Sequence, residues 1–201
     1  MKKLRPGKDS RLSDVRRAAR YLFEKHGYEN VNTVMIAKEA GISRALIYRY
    51  HGTKTGVLSD LLIEFLDEAT AKLGIFIKEK PKSYFEDITK LEFVVECFKV
   101  LFQHDTQPSV RKFRQMAAQQ SWNWDPEIET QIYIKAGELF RPMNEILHQN
   151  GSDVLDEPER NVIWALYTET LRQSLVRSQG DEDLNLGWRP MFVQGLSRIL
   201  T

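Results

Sequence analysis

Apolar residues return at helical intervals along almost the whole chain, and no segment alternates apolar with polar residues between turn pairs. An all-α fold is therefore expected. Residues 11–26 place Leu12, Val15, Ala18, Ala19, Leu22 and Phe23 on one face, with Arg16, Arg17, Arg20 and Lys25 elsewhere and Gly27 as the stop. Asn32 is expected to cap a second helix reaching Ala40, and Ser43 a third from Arg44 to Tyr50, with Gly41-Ile42-Ser43 as the tight turn between them. Thr53 is expected to cap a long fourth helix, whose Val57, Leu58, Leu61, Leu62, Phe65, Leu66, Ala69 and Leu73 form one stripe. Ser83 with Glu86 reads as a capping box that opens an apolar helix from Tyr84 to His104. Pro108 opens another to Ser121, and Asp125-Pro126 one to Gln149 that Pro142 should kink or split. Asp156 with Glu159 opens a helix to Ser178, and a final helix ends at Leu200 with Pro190 in its first turn.

The 201 residues are 42% apolar and 28% charged, enough for one core or for a small module joined to a larger one. The longest apolar runs, such as Leu73 to Ile77, fall far short of the ~18–20 residues of a membrane span. The basic N-terminus lacks the apolar stretch of ~7–15 residues that a secretory signal carries, so a cytoplasmic protein is expected. A single cysteine, Cys97, and four histidines exclude an internal disulfide and zinc spacing, and no cofactor is expected. Charge is unevenly placed. Residues 1–60 hold 13 Lys+Arg against 6 Asp+Glu, while the rest of the chain is acidic. That division suits a nucleic-acid-binding head on an acidic body, or an ordinary solvated surface.

Residues 33–50 have the pattern of a helix-turn-helix, with Ile36, Ala37, Ala40, Ile42 and Ile47 as the inward set. Ala37 and Ala40 let the helices approach closely, and Gly41 takes a backbone angle that a side chain would oppose. A structural helical hairpin shares these features. The order of residues goes further. The run AARYLFEKHGYENVNTVMIAKEAGISRALIYRYHGTKTGVL, from Ala18 to Leu58, resembles the N-terminal domain of TetR-family transcriptional regulators. The resemblance rests on Ala18-Ala19, Leu22-Phe23, Gly27-Tyr28, Ile36-Ala37, Ala40-Gly41-Ile42-Ser43, Ile47-Tyr48, Tyr50 and Thr53-Lys54, and covers residues 10–60.

The resemblance implies a DNA-binding domain over residues 1–54 and a helical effector-binding and dimerisation domain over 55–201. It implies a ligand-responsive repressor acting as a homodimer on a pseudo-palindromic operator. Carried over by position, Thr33, Tyr48, Tyr50 and Lys54 are expected along the DNA backbone, and Val34, Arg44, Ala45, Leu46 and Arg49 toward base edges. Arg44 and Arg49 suit bidentate contact to guanine and equally suit phosphate. Leu46 stands where the family usually has a small polar residue, His51 where it has an aromatic, and Val34-Met35 where it often has polar residues. His51 suits either a phosphate contact or the joint between the third and fourth helices. Lys2, Lys3, Arg5 and Lys8 ahead of the first helix are candidates for a minor-groove arm, which is expected to be disordered without DNA.

In the body, Trp164, Leu171, Leu175, Phe192, Val193, Leu196 and Leu200 are expected either at a four-helix dimer interface or within one subunit. Phe93, Phe98, Phe102, Trp122, Trp124, Tyr133, Phe140 and Trp164 are candidates for the lining of a pocket for a hydrophobic or planar small molecule. His104, Gln119 and Asn123 are candidate polar anchors, although aromatics at helical spacing also serve as plain core. A second reading is a DNA-binding adaptor that recruits a protein partner and senses no metabolite. An enzyme is not expected. Gly52-Thr53-Lys54-Thr55 lacks the upstream glycine of a phosphate-binding loop, no G-x-S-x-G elbow occurs, and His104-Asp105 is an isolated pair.

Overall fold

One long helix organises the fold, and most of the other helices pack along its length. The structure, a computed structural model, describes residues 8–120, 124–177 and 184–200. Lys2, Lys3, Arg5, Trp122 and Asn123 lie outside the described residues, as do the side chains of Lys8, Leu175 and Trp188. In chain order the described helices are α1 (Lys8–His26), α2 (Thr33–Glu39), α3 (Arg44–His51), α4 (Lys54–Glu79), α5 (Lys82–Glu86) and α6 (Lys90–Asp105). They continue as α7 (Pro108–Gln120), α8 (Pro126–Gly137), α9 (Phe140–Gln149), α10 (Glu157–Arg177) and α11 (Leu184–Ser197), with no strand among the described residues.

Local chemistry sets most boundaries. Asn32 Oδ1 accepts from the N–H groups of Val34 and Met35, both at 3.0 Å, and opens α2. Gly41 turns the chain with φ +66°, and Thr53 Oγ1 accepts from Gly56 N at 3.0 Å to open α4. Asp156 and Glu159 exchange side-chain to backbone bonds across the start of α10.

Four expectations are corrected. Ser43 occupies the N-cap of α3 without a side-chain bond, so the first turn of that helix keeps its N–H groups clear of the serine hydroxyl. The capping box lies at Thr89 and Glu92 rather than Ser83 and Glu86, because Ser83 falls inside the one-turn α5 while Thr89 directly precedes the apolar run that α6 buries. The 126–149 stretch breaks between Gly137 and Phe140, which puts Pro142 in the first turn of α9, where a missing N–H costs no helical bond. Pro190 lies inside α11, which starts earlier than expected, and its ring is on the exposed side.

Two apolar clusters share α4. The first joins Val15, Ala19 and Phe23 of α1, Ile36 of α2, Ile47 of α3 and Leu58, Leu61 and Phe65 of α4 to Val110, Phe113 and Met116 of α7. The second begins at Leu66 and gathers Phe93, Phe98 and Phe102 of α6, Phe140 and Met143 of α9, Tyr167 of α10 and Phe192 and Leu196 of α11. Leu171, Phe192 and Leu196 are thus buried inside the subunit, with Trp164, Val193 and Leu200 packed against them. The large apolar side chains still outward on α10 and α11 include Val162 and Met191.

A chain of charges ties the clusters together. Glu64 on α4 meets Arg16 at 3.1 Å and Arg20 at 3.2 Å, both on α1. Glu68, one turn further, faces Arg20 at 3.7 Å and His104 at 3.6 Å. His104 Nδ1 lies 3.0 Å from the fully buried Asp105 carboxylate, whose other oxygen accepts from Tyr167 at 2.9 Å and pairs with Arg114 of α7 at 2.7 Å. Burial alone would raise the Asp105 pKa, but the Arg114 charge, the bond and charge of His104 and the Tyr167 hydroxyl together bring it below the ordinary value. The carboxylate is thus more acidic folded than unfolded, so its contribution is present above about pH 4 and is lost as pH falls through the folded pKa. Asp105→Ala, which strands Arg114 in the interior, is expected to cost about 3–5 kcal/mol in urea unfolding at pH 7. The gap between native chain and variant should narrow at pH 3.

Candidate nucleic-acid interface and body cavity

The outward face of α3 is built by burying only one side of an eight-residue helix. Ile47 and His51 point inward, while Arg44, Ala45, Tyr48 and Arg49 are exposed and Leu46 and Tyr50 are half-buried. These side chains stay exposed among the described residues, and Val34 on α2 is exposed as well. Arg44 and Tyr48 are already arranged as a pair. The guanidinium donates to the phenol oxygen at 2.8 Å and lies 5.1 Å from the ring centroid. Thr33 Oγ1, largely buried, donates to the same phenol at 3.5 Å. Both bonds are donated to the Tyr48 oxygen, and the Thr33 bond, then the Arg44 bond and charge, lower its pKa.

Lys54 occupies the first turn of α4, where its ammonium donates to the Tyr28 carbonyl at 2.9 Å and lies 4.0 Å from that ring's centroid. Tyr28 in turn exchanges a bond of 3.1 Å with Thr55, so the start of α4 is fastened to the loop after α1. His51 belongs to the joint between helices. It is buried, and its Nδ1 lies 2.7 Å from Asp60 Oδ2 on α4.

The joint also depends on a residue that the spacing analysis passed over. A Cβ built on Gly56 would meet the carbonyl oxygen of His51 at 1.9 Å, so α3 ends directly against the backbone of α4. Only glycine fits there. Its position in the first turn of a long helix, where glycine is a poor former, is the signal in the sequence.

The body holds a cavity of about 370 Å³ between α4, α7, α8 and α10. Its floor is apolar and buried, with Leu62, Ala117, Tyr167 and Leu171, and its rim carries the exposed Glu129, Tyr133, Thr168 and Arg172. Arg172 donates twice to Glu169, at 2.8 and 2.7 Å, which together with Gln173 brings Glu169 down to about 2. Of the candidate pocket residues, Trp124, Tyr133 and Trp164 line this cavity. Phe93 and Phe98 are in the second core cluster, and His104 is in the buried charge network. Gln119 is exposed, and Trp122 lies outside the described residues. Sequence spacing did not single out Arg114, which links cavity to network.

Residues 15–61 match the model of bacterial regulatory proteins of the tetR family. That segment contains α2 and α3 entire and ends inside α4. That segment carries a TetR-family sequence. Solved structures of the same overall fold include Thermus thermophilus FadR, a TetR family transcriptional repressor, in complex with lauroyl-CoA, at 20% identity and TM-score 0.69 over 94% of this chain and 93% of that one. Bacillus subtilis FadR in complex with stearoyl-CoA is similar at 21% identity and TM-score 0.64, over 92% and 97% of the two chains. The fatty acid degradation regulator FadR from Bacillus halodurans is 20% identical at TM-score 0.64, over 96% and 97%. A comparison with curated protein sequences gives no match.

The TetR-family head thus sits on a body whose fold agrees with these structures along nearly its whole length. The tight joint behind α3 makes its position testable. Gly56→Ala is expected to destabilise the chain by about 1–3 kcal/mol, because backbone on both sides prevents relief. The midpoint of urea unfolding measures that loss, and hydrogen exchange of α3 amides should rise with it.

Proposed function

We propose that the chain is a ligand-responsive transcriptional repressor that binds a pseudo-palindromic DNA site as a homodimer. The observation that carries the reading is the uncovered face of α3, with Arg44 and Arg49 outward, within a domain of TetR-family sequence. Two such heads held ~34–36 Å apart engage successive major grooves, which is the reason for a dimer. Thr33, Tyr48, Tyr50 and Lys54 take the phosphate backbone, while Val34, Arg44, Ala45, Leu46 and Arg49 face base edges. In this reading the Tyr48 bond to Arg44 holds the guanidinium ready before DNA arrives, which reduces the ordering cost of binding.

The apolar cavity supports a small-molecule effector over the adaptor alternative. That similar folds hold lauroyl-CoA and stearoyl-CoA supports an acyl thioester as its class. An occupied cavity favours a head spacing that no longer matches DNA, and repression is relieved by population shift.

Selection of bound fragments from random duplex DNA tests the reading, since it returns the site, its symmetry and its half-site spacing together. An inverted repeat is expected, and failure to enrich any sequence overturns the proposal. On the selected site, Lys54→Ala is expected to weaken binding to all sequences and reduce the salt slope by ~1. Arg44→Ala or Arg49→Ala should instead relax preference at defined base pairs, with ~1–3 kcal/mol lost at each. A uniform loss in both arginine variants assigns them to phosphate.

A further inference from the structure

Two buried N–H donors in the wall of the body cavity have no hydrogen-bond acceptor among the described residues: Nε1 of Trp124 and Nε of Arg114. An N–H taken out of water without a partner is costly, and here two lie in one wall. A ligand that brings an acceptor gains from both.

Surrounding charges limit what that acceptor can be. Arg114 already faces Asp105 at 2.7 Å, and Arg172 on the rim is held by Glu169. Glu129 adds a negative charge beside them. With both guanidiniums answered, the wall calls for a neutral acceptor in preference to a further anion. The rest of the lining, including Leu62, Ala117, Ile132 and Leu171, calls for an apolar body.

We infer that the cavity recognises a ligand whose apolar body carries an uncharged carbonyl oxygen, which accepts from Trp124 Nε1 and Arg114 Nε. The inference rests on the ligand-responsive reading above and deepens it. Both N–H groups are shielded from water, so a ligand reaches them by displacing part of that wall. The displacement reaches beyond the cavity. Trp124 also walls a second groove, of about 710 Å³, whose far side is the end of α3 and the start of α4, from Tyr48 to Gly56. Filling the cavity therefore changes what packs behind the recognition helix.

Octanoyl-CoA and S-octyl-CoA, the thioether in which a methylene replaces the carbonyl, test the inference by calorimetry on the full chain. Octanoyl-CoA is expected to bind about tenfold tighter or better. Trp124→Phe keeps a ring and removes the N–H, and should cut that ratio by about fivefold while leaving S-octyl-CoA within about twofold of its native affinity. In the ¹⁵N spectrum of the indoles, the signal missing from Trp124→Phe should move with octanoyl-CoA and stay with S-octyl-CoA. Equal binding of the two ligands by the native chain overturns the acceptor site and leaves the ligand-responsive reading standing. An unchanged ratio in Trp124→Phe removes Trp124 from the site and overturns the inference as stated. Binding of neither ligand overturns both readings.

Discussion

The buried carboxylate of Asp105 holds the end of α6, the middle of α7 and the middle of α10 at one point. A charge with no exposure persists only if its neighbours repay the lost hydration, and three do so here. Arg114 brings the opposite charge, Tyr167 a hydroxyl and His104 a ring nitrogen. Apolar packing alone would let α7 slide or rotate against its neighbours at modest cost. The ionic contact is directional and fixes which face of α7 looks where. It sends Phe113 and Met116 toward the head and Ala117 toward the cavity, so one short helix serves both.

The head depends on a second constraint, at the joint of α3 and α4. There the backbone of Gly56 touches the last carbonyl of α3, and His51 faces Asp60 across the junction. Thr53 and Gly52 turn the chain sharply enough for the two helices to meet. Since α3 is anchored mainly at Ile47 and His51, the rest of its surface is free to carry Arg44, Tyr48 and Arg49 outward. The cost of exposing that face is accepted at a place where the joint supplies stiffness.

Much of this was legible in the sequence wherever the deciding chemistry is local. Asn32, Gly41 and Thr53 act on atoms within three residues of themselves, so the boundaries of α2, α3 and α4 follow from their order. Reading failed where two local signals compete. Ser83-Glu86 and Thr89-Glu92 have the same spacing, and only the need to bury Phe93, Val94 and Phe98 selects the second. The cavity was legible in part. Phe93, Phe98, Trp124 and Trp164 are all large aromatics. Which of them meets a void is decided by how α7, α8 and α10 lie across α4, a matter of tertiary arrangement. Arg114 has no such local signal, because its partner is the carboxylate of Asp105, on another helix.

The placement of α7 has an evolutionary consequence. Val110, Phe113 and Met116 complete the apolar interior beneath α1, and Lys112 and Gln120 bond Glu24 and Glu29 at its edge. The head is therefore not a detachable cassette. Grafting it onto a foreign effector module would leave part of its floor missing unless the newcomer supplied a matching strip, so the two halves are bound to change together.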